Sequence, residues 1–117
     1  MYFGWADPQL NPKMGVEYYE QVTETMGPTT GEFAGLFMVP GMFHCGGGVG
    51  TSQFDMTTPL LKWVEEGTAP GRIEAGRVVV GKVVRTRPLC AYPLTARYKG
   101  TGSIDDAANF TCGKPNE

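Results

Sequence analysis

A single histidine, His44, and three cysteines, Cys45, Cys90 and Cys112, are all the imidazole and thiol chemistry in these 117 residues. One imidazole cannot supply a multi-histidine metal centre, so any role for His44 depends on a partner of another residue type. Positive charge is also scarce. The net charge is −2, and no basic field exists to hold nucleic acid or an anionic membrane surface. No apolar run approaches the ~20 residues that a membrane-spanning helix needs. The opening "MYFGWADPQL" has neither the basic nor the apolar region of a signal peptide. There is no internal repeat, low-complexity tract or clear linker, so residues 1–117 are expected to form one unit. Glycine and proline are abundant, 17 and 9 residues, which predicts many turns between short elements.

"YFGW" predicts a short buried strand, interrupted by "ADPQLNP". Asn11 suits a helix N-cap and Pro12 the first helical position. Val16, Tyr19, Val22 and Met26 follow at helical spacing, and Gly27 with Pro28 closes the helix. "AGLFMV" is a continuous apolar run, expected of a strand covered on both faces. The first forty residues thus predict a parallel strand–helix–strand unit. A second helix is expected from Thr58 as N-cap and Pro59 as first position, burying Leu60, Leu61 and Val64 and ending at Gly67. "RIEAGRVVVGKVVRTRP" is strand-like, with Gly76 and Gly81 marking a bend or bulge. Beyond Pro88 the chain is expected to be mostly loop, with a helical turn at "IDDAAN".

Reactive groups in open α/β sheets gather at the carboxyl ends of parallel strands. Asp7 directly follows the first predicted strand, and His44 follows the second within "PGMFHCGGGVG". The crossover brings both loops to one sheet edge, where a carboxylate can take the Nδ1 proton and leave Nε2 as a base. Asp7 before Pro8 equally suits a plain turn former. A lone histidine is more often structural than catalytic, and "HC" lacks zinc-site spacing. The glycine loop has no lysine after it, unlike a phosphate loop. Trp5, Tyr18 and Phe37 fit a core better than a ligand wall. An acid followed by histidine matches the last two members of the α/β-hydrolase order Ser, acid, His. Ser52 and Ser103 both come after His44, and neither stands in a G-x-S-x-G elbow. Cys90 and Cys112 bracket a Pro-, Gly- and Thr-rich segment, and a bridge between them would contribute roughly 3 kcal/mol. That pairing leaves Cys45 for a partner outside the chain or as a free thiol; three reduced cysteines are the alternative.

"GWADP", "FMVPGMFHCGGG", "QFD", "LKWVEEGTAP" and "RTRPLCAYPLTARYKGTGSIDDAANFTC" together resemble the C-terminal part of the tannase and feruloyl esterase family, which are α/β-hydrolase serine esterases. The resemblance covers almost the whole chain in order. It implies an α/β fold in which residues 1–117 form the C-terminal portion: a parallel strand–helix–strand unit, a second helix, a short β segment and a disulfide-closed C-terminal loop. Position by position, it makes Asp7 the triad acid and His44 the triad base. It pairs Cys45 with a cysteine beside the nucleophilic serine, outside this chain, and Cys90 with Cys112. It places the serine, the oxyanion donors and a calcium-binding lid N-terminal to residue 1, so these residues are expected to hold no cofactor. Met1 is then an internal methionine or a misassigned start. The family implies an aromatic carboxylic ester as substrate, the missing N-terminal part of the same polypeptide as partner, and a secreted or periplasmic location. Phe3 stands where histidine is common in the family, and Val49 where proline is common.

Three functions fit these residues, in descending order. The first is a share in a serine esterase of aromatic acid esters. The second is a stand-alone module that keeps the fold without a nucleophile. The third is metal binding through His44 and Cys45.

Overall fold

β1 (Tyr2–Gly4) and β2 (Phe37–Val39) lie parallel in the computed structural model, which describes residues 1–115, and α1 (Lys13–Met26) crosses between them. The start of α1 follows local rules. Asn11 Oδ1 accepts the Lys13 N–H at 3.1 Å, and Pro12 already has helical dihedrals. Gly27 caps the other end with its N–H on the Thr23 carbonyl, but the chain continues through Pro28 as a 3-10 helix over Gly27–Glu32. Every residue of β2 is buried, as its unbroken apolar run predicts. The crossover unit is therefore present, with strands shorter than expected and with β1 only partly buried, since Tyr2 is exposed.

The second helix, α2 (Thr57–Glu66), departs from expectation at its start and along its face. Its cap is Asp55, not Thr58. Asp55 Oδ1 accepts the Thr57 and Thr58 N–H groups at 2.9 and 3.0 Å, and Thr58 Oγ1 donates to Oδ2 at 2.6 Å. Gly67 ends the helix in the left-handed conformation, as expected. Leu60, Leu61 and Val64 are 52, 51 and 76% exposed rather than buried. The helix rests on the core through Met56, while Trp63 shares a small cavity with Phe37, and among the described residues no layer covers its apolar stripe.

The later segment is more regular than predicted. β3 (Arg72–Val79) and β4 (Lys82–Cys90) form an antiparallel hairpin whose turn, Val80–Gly81, has positive φ at both residues. Gly81 thus belongs to the turn, and the ladder slips between Arg77 and Val78, one residue past Gly76. Beyond Pro88 the chain keeps its expected loops and a helical turn within 104–109, but it also carries a strand pair that was not expected. β5 (Thr95–Tyr98) pairs antiparallel with β6 (Phe110–Gly113), and a 3-10 turn at Ala107–Asn109 is capped by Asp106. The Cys90–Cys112 disulfide joins β4 to β6. Arg72 reinforces that junction by donating to the carbonyls of Phe110 and Ala107 at 2.9 and 2.8 Å.

One core holds the crossover to the hairpin. Phe37, Val39 and Met42 pack against Ile73, Ala75 and Leu89, each large aliphatic side chain contributing about 1.5–3 kcal/mol by leaving water. Reciprocal bonds between Gln53 and Gly76 and a bridge from Phe37 to Ala91 fix the hairpin beside β2. The carboxyl end of the parallel pair is thereby held while its two loops project from it.

Candidate active site

Both loops at that edge are fixed by backbone bonds. Trp5 N–H donates to the Val39 carbonyl at 2.9 Å, and Ala6 N–H to the Met42 carbonyl at 3.1 Å. The chain after β1 therefore runs against the start of the His44 loop. Gly4 makes this approach possible, because a Cβ there would collide with the Met42 and Phe43 carbonyl oxygens. The His44 loop closes on itself through a Met42–Gly48 bridge and the Gly50 N–H on the Gly41 carbonyl. Gly48 has φ +85 and leaves no room for a side chain beside Gly41. Gly41, Gly48 and Gly50 are thus needed for its closure.

Asp7 and His44 meet across the edge, His44 Nδ1 lying 2.8 Å from Asp7 Oδ2. The other carboxylate oxygen, Oδ1, accepts the Gln9 and Leu10 N–H groups at 2.8 and 3.0 Å. Asp7 is thus both a turn former and the partner of the histidine. Its side chain is 2% exposed, against 37% for His44. Desolvation pushes its pKa up, but the bonds from Leu10, His44 and Gln9, with the charge of His44, outweigh it and hold the carboxyl below its ordinary range. A carboxylate only accepts, so Nδ1 must carry the proton of the neutral ring and Nε2 is left with a lone pair. Among the described residues Nε2 has no hydrogen-bond partner. Ser103 Oγ instead accepts the Asp105 N–H, and no bond joins Ser52 to His44.

Cys45, next to His44, is exposed and unbonded, with φ +58. Few non-glycine residues adopt that conformation. It borders a cavity of about 70 Å³ with His44, Leu10 and Met42. No three His, Cys, Asp or Glu side chains converge as metal donors among the described residues. His44 with Cys45 thus has no third side-chain donor of these types among the described residues.

Of the aromatic residues assigned to the core, only Phe37 belongs there, at 3% exposed. Tyr18 is 58% exposed on α1, and Trp5 is 42% exposed and borders a cavity of about 320 Å³. Sequence reasoning also missed the supports of Asp7. The Asp-Pro-x-x turn was a visible signal for the Gln9 and Leu10 amides. Gly4 gave none, since its neighbours come from a loop far along the chain.

The family model for tannase and feruloyl esterase matches residues 1–113. Mono(2-hydroxyethyl) terephthalate hydrolase of Piscinibacter sakaiensis is 48% identical over 98% of this chain, which spans 19% of that protein. The crystal structure of an esterase from Aspergillus oryzae superposes with TM-score 0.83 at 30% identity, over 96% of this chain and 26% of that one. Feruloyl esterase B from the same organism gives 0.82 at 27% identity, with the same coverage. The α/β-type fold is common to all of these structures, and this chain spans about a fifth to a quarter of the relatives it matches. The chain belongs to the tannase and feruloyl esterase family.

Proposed function

We propose that this chain is the C-terminal portion of a serine carboxylic-ester hydrolase for aromatic acid esters, feruloyl, galloyl or related, and supplies its acid–base pair. The observation that carries the proposal is the 2.8 Å contact from His44 Nδ1 to a nearly inaccessible Asp7 carboxylate. The family of ester hydrolases to which the chain belongs supports it. The nucleophilic serine and the oxyanion donors are assigned to polypeptide N-terminal to residue 1. His44 Nε2 takes the serine proton as the serine oxygen attacks the ester carbonyl. The tetrahedral adduct collapses, the C–O bond breaks, and the leaving alcohol takes that proton from Nε2. Water then repeats the cycle on the acyl-enzyme. Asp7 stays ionised throughout, orienting the ring and stabilising the imidazolium.

Cys45 is assigned a disulfide to a cysteine beside the serine, which would anchor the His44 loop against the nucleophile. A secreted or periplasmic location goes with this assignment, and the Cys90–Cys112 bridge is consistent with an oxidising compartment. The test is hydrolysis of methyl ferulate and methyl gallate by the polypeptide extended with its upstream coding sequence. At least one ester should turn over, and Asp7→Asn should lower kcat by about 10⁴. His44→Ala should abolish turnover. An extended enzyme that keeps its rate in His44→Ala would remove the assignment.

A further inference from the structure

On the α1 side of the parallel pair, a cavity of about 320 Å³ lies between Trp5, Val16 and Met38 and the segment from Arg87 to Ala96. It shares none of the residues that border His44 and Cys45. Its walls are apolar and partly aromatic, with proline, leucine and alanine beside the Trp5 indole and the Tyr92 ring. The Tyr92 hydroxyl is already committed to Glu20 at 2.6 Å. Arg87 is the only charged residue in the lining among the described residues.

The partners of Arg87 are unusual for a half-buried guanidinium. Its Cζ sits 4.0 Å from the centre of the Phe110 ring, a cation–π contact that covers a face of the group. No carboxylate lies within ion-pair distance, and no acceptor takes its N–H donors among the described residues. Asp105, whose charge acts on Arg87, is bonded to Arg85 at 2.6 Å. Desolvation, with the neighbouring charge of Arg85, pushes the Arg87 pKa down against a smaller opposing effect of Asp105. The cavity thus offers an apolar space next to a cation whose planar donors have no acceptor among the described residues, and guanidinium donors match a carboxylate two at a time.

We infer that this cavity is a binding site for a small aromatic carboxylate, with its ring against Trp5 and its carboxylate on Arg87, separate from the Asp7–His44 pair. Neither the nucleophile nor the assigned role of His44 enters the inference.

Titration of the 117-residue chain with benzoate, followed by NMR, tests it. Benzoate should shift the Trp5 indole N–H and the amides of residues 87–96 in a saturable way. The Trp63 indole, in a different cavity, serves as the internal control and should not move. Arg87→Met should weaken benzoate about tenfold or more, the scale of a charge-assisted bond, and leave the weaker binding of benzyl alcohol unchanged. Arg87→Lys, which keeps the charge but loses the paired planar donors, should recover only part of the affinity, and Ala96→Leu should exclude both ligands. Equal benzoate affinity in the wild type and a folded Arg87→Met, shifts centred on His44 instead of Trp5, or no saturable binding would each overturn the inference.

Discussion

Asp7 carries more of the local structure than its partner does. Its Oδ1 organises the turn into α1 and its Oδ2 holds the imidazole, so losing its charge weakens both loops at once. The carboxyl lies below its ordinary value of 3.8 in the folded chain. A depressed carboxyl stabilises the fold fully above the unfolded value, and that contribution disappears as pH falls through the folded one. Asp7→Asn should therefore be destabilising at pH 7, with the difference from wild type shrinking progressively below about pH 4. Urea unfolding across that range measures it, and a penalty independent of pH would show that shape rather than charge is involved. Gly4 acts through space alone. A methyl group there meets backbone oxygens that have nowhere to retreat, since Met42 is both bonded to Ala6 and packed in the core. Gly4→Ala should cost about 1–3 kcal/mol and lengthen the Asp7–His44 contact, seen as a changed Nδ1 proton resonance.

At the level of elements, legibility followed the range of the interactions. Asn11–Pro12 and Gly67 were readable because a cap is a local event, settled within a few residues. The start of α2 was misplaced because Thr58–Pro59 imitates a cap and first position, while the side chain that does the capping, Asp55, stands further upstream. Asp7 and His44 were legible as a pair because a parallel crossover brings both loops to one edge whatever the side chains between them. β5 and β6 escaped notice because neither has a long alternation and their partners lie across an intervening loop. The cavity beside Trp5 was also invisible, since its walls come from separate segments. The β4–β6 junction is reinforced covalently. The Cys90–Cys112 disulfide closes a loop with a sequence separation of 22, and in the chain-entropy account this stabilises by roughly 3 kcal/mol. Replacing both cysteines by serine should lower unfolding stability by about that amount, measured in urea, and loosen β5–β6 before the core. Phe37, Leu89 and their neighbours should keep native exchange protection, because the core does not include β6.

The molecule as a whole exposes surfaces that a self-contained domain of this size would bury. Leu60, Leu61 and Val64 on α2, Met14 and Tyr18 on α1, and Val83 and Val84 on the hairpin all face solvent. Among the described residues β1 pairs with β2 alone, whereas parallel sheets are ordinarily wide and covered on both faces. These features agree with a chain that spans 19% of its terephthalate-hydrolase relative and with the proposal that the rest of an active site lies upstream. The consequence for activity is direct. If the serine and the oxyanion donors lie upstream as proposed, the isolated pair acts only as a free imidazole would, because the residual rate of a triad enzyme that has lost its serine comes from the oxyanion hole and substrate binding. The 117-residue chain should therefore hydrolyse p-nitrophenyl acetate no faster than free histidine at the same concentration, and methyl gallate not at all. Cys45 should react stoichiometrically with a thiol reagent in this chain and be protected in the extended polypeptide, where a partner cysteine is proposed. Turnover of methyl gallate by the isolated chain that vanishes in both His44→Ala and Ser52→Ala would mean that a nucleophile is already present. The assignment of the serine to upstream sequence would then have to be abandoned.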